Sequence, residues 1–375
     1  MPTLIEPLFP GMALDAAERF AQDHAGSRGF GDADPVAEMG WALTLVPEEL
    51  GGLGGTLADV AATIEGLATH GVQLPVIETS AVAPLLLQAN AESAAQWLPQ
   101  LCDGNARFGV LAALSMPLRD VAVQARQLDI GWELAGSVRG ADVTLSPTHR
   151  VLAARVQGSG EIALFVLDAD RLQPAATYRT MEGRLAADFA LDALSVPASA
   201  CIARGAAASA ALARADQAAL LLTAIDTVAS LAALLRATIA HLQERKQFGV
   251  ALATFQALRH RVADMFVRYQ AAKGLAIHAF GEYDAGSASL DRTLRLMKVS
   301  HAESARASAE AAIQMHGGMG VSEEVLATRL AQRLIASEFR YGDRLTHSSR
   351  LLREDAATRA KQSAVAQDTH TRSAR

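Results

Sequence analysis

The chain has 375 residues, of which 50% are hydrophobic and 20% charged, with a net charge of −6 at pH 7. That length can bury two or three sizeable cores, and an acidic balance with the basic residues spread along the chain excludes an electrostatic footprint for nucleic acid or an anionic membrane. Only two cysteines occur, Cys102 and Cys201, outside any CxxC spacing, so a structural metal is not expected and a reducing, cytoplasmic compartment is.

From the N-terminus, residues 1–108 read as short helices punctuated by breakers: LDAAERFAQDHA, GWALTLVPEELGGLGG, LADVAATIEGLATH, TSAVAPLLLQA and AESAAQWLPQLCDG. The start lacks the basic and apolar regions of a signal peptide, and no uninterrupted run of about 18 apolar residues follows, so membrane insertion is not expected. The glycines of VPEELGGLGG follow no strand and lack the GxGxxG spacing, which makes them a turn rather than a dinucleotide fingerprint. Residues 109–204 change to short alternating runs, among them WELAGSVRG, RVLAARV, EIALFVLDA and AADFALDAL, which predict a small sheet or barrel. Residues 205–355 return to long helices, broken at KQFGV, GEYDAGSAS and HGGMG, whose wide apolar stripes suit a four- or five-helix bundle. The polar residues 356–375 are expected to form a flexible tail. The fold class is therefore mainly α with an inserted β domain.

Two breaks in the bundle carry chemistry. In ERKQFG, residues 244–249, Arg245 stands beside Phe248 and Gly249, with Gln256 seven residues beyond the glycine. An arginine at a helix end can cap terminal carbonyls, or it can hold a phosphate with the amide and the ring close by. In QMHGGMG, Gln314 precedes Gly317 and Gly318, which mark either a plain helix C-cap or a bare backbone that a ligand approaches closely. The histidines 241, 260, 301 and 347 stand alone on helical stretches and predict no metal. Ser115 and Ser348 lack a nucleophile elbow, which disfavours a hydrolase.

ERKQFG with FQALRHRVADM, QMHGGMG, GWALTLVPEELGGLGG and the middle WELAGSVRG with RVLAARV resemble the acyl-CoA dehydrogenase family, over about residues 16–353. The resemblance implies an N-terminal helical domain, a middle β-barrel domain and a C-terminal four-helix bundle. It also implies FAD as cofactor and α,β-dehydrogenation of an acyl-CoA thioester, with a carboxylate taking the α-proton and the flavin the hydride. In the family the RxxFG, FQ and QxxGG segments hold the FAD of a neighbouring subunit. Here they are Arg245, Phe248, Gln256, Gln314, Gly317 and Gly318, so a homo- or hetero-oligomer is expected.

The family's glutamate base, about 24 residues beyond the first glycine of GG, falls on Tyr341, and its alternative location on the first bundle helix falls on Ala219. Neither is an acid. Asp343 is the nearest carboxylate and stands as the candidate base, with capping of the following helix as the other reading. Asp216 and Glu338 read as surface charges. The flavin-ring segments are replaced by LSMPLRDVAV, where Ser115 and Pro117 match in part, and by ADVTLSPTHR. This pattern resembles the small subunits of heteromeric members, so a non-catalytic subunit completing a partner's flavin site is the alternative to an active dehydrogenase. Another flavin oxidase or monooxygenase on the same scaffold is the third reading.

Overall fold

The computed structural model describes residues 5–373 apart from 28, 32, 113 and 117–119, so Pro117 lies outside the described residues; of 357 and the residues from 360 onward only the backbone is described. The first domain contains α1 (Met12–Asp23), α2 (Pro35–Glu38), α3 (Leu57–Thr69), a π-helical turn at Ile77–Val82 that runs into α4 (Ala83–Leu87), and α5 (Ala91–Cys102). Helix α3 begins at a capping box, in which the Asp59 carboxylate accepts the Thr56 N–H at 2.8 Å. Gly66 within α3 is dictated by packing, since a Cβ there would come within 2.6 Å of the Ala17 methyl on α1. Glu65, beside it, accepts the N–H groups of Leu8 and Phe9 at 2.8 and 3.0 Å and so fastens the entering chain across α3.

The middle domain is one sheet of β1 (Phe108–Leu111), β2 (Gln124–Leu128), β3 (Gly131–Asp142), β4 (His149–Val156), β5 (Ile162–Asp168), β6 (Pro174–Arg179), β7 (Leu185–Val196) and β8 (Cys201–Arg204). The order is β6-β7-β3-β2-β4-β5-β8, with β1 parallel to β4. Register shifts interrupt the long β3–β7 pairing, the kind of bulge that bends a sheet around a core. That core is built from alternate residues, including Leu134, Leu152, Phe165 and Phe189.

The bundle comprises α6 (Gly205–Glu244), the hairpin β9 (Lys246–Gln247) and β10 (Val250–Ala251), α7 (Gln256–Asp284), α8 (Leu290–His316), α9 (Leu326–Ser337) and α10 (Arg344–Ser373). Helix α6 is long and apolar enough to cross a membrane by length and composition, which a count of consecutive apolar residues had not revealed; its apolar window is 100% buried inside the fold. It is apolar all round because α3, α7, α8 and α9 pack on it from different sides. Helix α10 continues to Ser373, so most of 356–375 carries helix where the sequence suggested a tail.

Candidate functional site

Helix α6 ends at Glu244, and the Arg245 N–H closes its last turn on the His241 carbonyl at 2.9 Å. The hairpin that follows turns at Phe248 and Gly249, both with positive φ, 55° and 80°, as a two-residue hairpin turn requires. Phe248 is 90% exposed, so a strained backbone presents a bare phenyl ring to solvent. The rings of His241 and His316 stack at 4.3 Å, which sets the end of α6 beside the end of α8. There Gly317 leaves the helix with φ 60°, and no atom lies within 4 Å of where a Cβ of Gly317 or Gly318 would stand. At Gly320, by contrast, a Cβ would stand 2.5 Å from the Ile313 carbonyl oxygen, so it is a packing glycine. Arg245, Gln256 and Gln314 are exposed. An outward guanidinium, two amides, an unobstructed backbone at Gly317 and Gly318 and an uncovered ring form a donor set that fits a dinucleotide diphosphate, while the Gly317 N–H itself closes the end of α8 on the Gln314 carbonyl.

The turn between α9 and α10 carries Tyr341, the residue on which the sequence resemblance placed the family's base. Tyr341, at φ 54°, donates its hydroxyl to Glu78 Oε1 at 2.6 Å, and Arg340 reaches the same oxygen at 2.9 Å. Arg184 stands 3.9 Å from Glu78 and pairs with Asp142 at 2.9 Å and Glu182 at 3.0 Å. On the bundle side Asp226 takes Arg333 at 2.7 Å and Arg340 at 3.6 Å. The network thus joins all three domains around one carboxylate. Burial opposes the charge on Glu78, but Arg340, Arg184 and the Tyr341 hydroxyl outweigh it and hold the carboxyl below its ordinary value. Burial and the Glu78 anion push the Tyr341 phenol well above its ordinary value, which leaves it a donor and not a base.

Two buried groups fix this turn. Lys298 Nζ donates to the carbonyls of Ser337 and Arg340 at 2.6 and 2.7 Å, and His347 Nε2 lies 2.9 Å from the Tyr341 carbonyl. Burial and the Arg340 charge bring Lys298 down to about 7, and burial brings His347 down to about 4. A lysine depressed in the fold binds fewer protons than in the unfolded chain between about pH 7 and its ordinary value. Stability should therefore rise with pH across that window, by at most about 1.4 kcal/mol per pH unit, and Lys298→Met should flatten the slope in denaturant titrations.

The acids named from the sequence are each engaged with other groups. Asp343 is the N-cap of α10, accepting the Thr346 N–H at 2.7 Å, and Thr346 holds its carboxyl below the ordinary value. Glu338 is 8% exposed and paired with Arg306 at 3.0 Å, and Asp216 accepts the Ser115 N–H and hydroxyl at 2.6 and 2.7 Å. Both were expected on the surface; Glu338, at the C-terminal end of α9, is instead buried, and Asp216 on α6 is half-buried against Ser115. Ala219 is buried in the core. Sequence reasoning missed Glu78, Asp142, Arg184, Asp226, Lys298 and Arg333. The available signal was a lone charge in an apolar stretch, as in LPVIETSAV and LTAIDTVASL.

A cavity of about 410 Å³ opens between the first domain and the sheet, lined by Glu78, Phe108, Gly109, Leu145, Ser146 and Pro147 among others. The second ring segment, 141–150, reaches it; none of the described residues of the first, 114–123, does.

Comparison with known proteins gives a consistent answer. The acyl-CoA dehydrogenase N-terminal domain matches residues 12–105 and the acyl-CoA dehydrogenase C-terminal domain matches residues 197–344. The acyl-CoA dehydrogenase IpdE2 of Mycobacterium tuberculosis is 28% identical over 287 residues, which cover 76% of this chain and 74% of that protein. A variant of the Tcur3481-Tcur3483 steroid ACAD superposes with a TM-score of 0.79 at 24% identity, covering 93% of this chain and 98% of its own. The ChsE4-ChsE5 complex of Mycobacterium tuberculosis gives 0.79 at 19%, covering 92% and 98%. These two likenesses speak to the fold. The family models, in order on either side of the sheet and together spanning more than half of the chain, establish that the protein belongs to the acyl-CoA dehydrogenase family of FAD-binding flavoproteins.

Proposed function

We propose that this chain is one subunit of a heteromeric FAD-dependent acyl-CoA dehydrogenase, in which it completes the flavin site of a paralogous partner and does not itself abstract the substrate proton. The observation that carries the reading is Tyr341: at the base position stands a phenol hydrogen-bonded to Glu78, and Glu78 is committed to Arg340. A carboxylate held by a guanidinium and a phenol is a weak base. FAD, when bound, supplies the hydride acceptor for α,β-dehydrogenation of the acyl-CoA. This chain's part is to hold the diphosphate with Arg245, Gln256 and Gln314, to let it approach the side-chain-free backbone at Gly317 and Gly318, and to cover it with Phe248. The exposed apolar groups at this end, Phe248 at 90% and Val321 at 76%, favour burial against another chain over a free monomer. Two free cysteines are in keeping with a cytoplasmic setting.

The test is flavin absorbance and its bleaching by acyl-CoA, for the chain alone and co-expressed with its nearest encoded paralogue. The pair should retain FAD and be reduced, whereas the chain alone should not be reduced. A lone chain whose flavin is bleached by an acyl-CoA would overturn the reading and return Asp343 to consideration as base. Because Asp343 is engaged as a cap, Asp343→Asn should leave both the reduction rate of the complex and its stability near wild type. Asp343→Ala should lose about 0.5–2 kcal/mol in a denaturant titration without a change in rate. A fall in rate by orders of magnitude in Asp343→Asn would instead assign it the proton transfer.

A further inference from the structure

Lys298 and His301 stand one turn apart on α8, 6% and 3% exposed, and both line a cavity of about 10 Å³ enclosed by α6, α8 and the end of α9. Its other polar walls are Thr223 and Thr227 of α6, Ser337 and Glu338, and the rest of the lining is apolar. His301 Nε2 lies 3.0 Å from the Ala272 carbonyl of α7. A carbonyl only accepts, so Nε2 carries the proton and Nδ1 presents a lone pair. Burial brings His301 down to about 4, so that lone pair stays bare at neutral pH. Nδ1 is buried and has no hydrogen-bond partner among the described residues.

The polar walls have no proton to give it. Thr223 Oγ1 donates to the Ala219 carbonyl at 2.7 Å, Thr227 Oγ1 to the Thr223 carbonyl at 2.9 Å and Ser337 Oγ to the Leu334 carbonyl at 2.7 Å. Glu338 is an acceptor, held by Arg306. Lys298 Nζ bonds the carbonyls of Ser337 and Arg340, which leaves one tetrahedral position of the nitrogen unused. A buried acceptor left unsatisfied is costly, so the chemistry and size of the cavity select what can meet it. A halide has no proton for a lone pair, a metal ion would meet the lysine charge, and an apolar guest satisfies neither group. A cavity of about this volume holds one water, which in buried sites makes about three hydrogen bonds.

We propose that this cavity is the binding site of a single water that donates to His301 Nδ1 and bonds Lys298 Nζ, completing the coordination of the amine that holds the Tyr341 turn. The water accepts from the ammonium and gives its second proton to a threonine hydroxyl or to Glu338; when Lys298 is neutral, that second proton goes to the Nζ lone pair instead. One molecule thus serves both protonation states. The site lies inside the bundle and needs neither the flavin nor a partner subunit, so it stands apart from the assignment of subunit role.

A high-resolution crystal structure of the full chain, grown with and without bromide, tests it. One water should stand at about 2.7–3.2 Å from both His301 Nδ1 and Lys298 Nζ, and bromide should not replace it. His301→Phe keeps an aromatic ring but cannot accept, so oxygen-17 relaxation dispersion should count one long-lived water fewer than in wild type. If that variant does not fold, nitrogen-15 spectra of the wild type supply the solution test: at neutral pH His301 should be protonated on Nε2 and accepting on Nδ1. No density between the two nitrogens, an anomalous bromide peak there, a proton on Nδ1, or an unchanged water count in His301→Phe would each overturn the proposal.

Discussion

Arg245→Ala should release FAD from the assembled protein ten- to a hundredfold more readily than wild type, while the far-ultraviolet circular dichroism stays unchanged. The side chain stands past the last turn of α6, whose final hydrogen bond is made by the backbone N–H of residue 245. Alanine keeps that bond, so the helix loses nothing. In the proposed flavin site what is lost is a charge-assisted contact to a diphosphate, worth roughly 1.5–3 kcal/mol where another chain excludes water from it. Each 1.4 kcal/mol is about tenfold in affinity, which sets the expected range. The measurement is FAD retained after gel filtration, with Phe248→Ala as a companion that removes ring cover without touching the charge. Retention equal to wild type in Arg245→Ala would remove this residue from the flavin site.

Arg340→Met should cost about 3–5 kcal/mol of stability, the range for removing one partner of a buried ion pair. Arg340 faces Glu78 at 2.9 Å and Asp226 at 3.6 Å, and its own side chain is 15% exposed, so its removal uncovers anions on two domains at once. Glu78→Gln combined with Arg340→Met should recover part of the loss, since the stranded carboxylate is then gone. The pH dependence follows the same pairing. Glu78 has a folded pKa below its ordinary value, so its stabilisation is complete above the ordinary carboxylate range and is lost as the pH falls through and below it. Urea midpoints measured between pH 7 and pH 3 should therefore converge for wild type and Arg340→Met at the acid end. A difference that stays constant with pH would show that Arg340 acts through packing alone.

The exposed cradle and the buried network were not equally legible in the sequence. Arg245, Phe248, Gln314 and Gly317 lie in two short segments at helix ends, where glycine and a positive φ leave a local mark. Glu78, Arg184 and Arg340 come from three domains, with more than 100 residues between each and the next in the chain. No spacing rule connects them, and each looks alone like a stray charge. Asp343 shows the reverse case: nearness in sequence to the base position suggested catalysis, whereas its carboxylate completes the first turn of α10.

By itself the sequence determined the helical, β and helical order and the breaks at KQFG and HGGMG, because periodicity, turn residues and helix ends are properties of a few neighbouring side chains. Tertiary structure alone decided which charges are buried and what each one faces. It turned Tyr341 into a donor to Glu78, drew Glu338 into the interior and set the half-buried Asp216 against Ser115. Desolvation and pairing depend on distances between residues far apart in the chain, and only the packed fold fixes those distances.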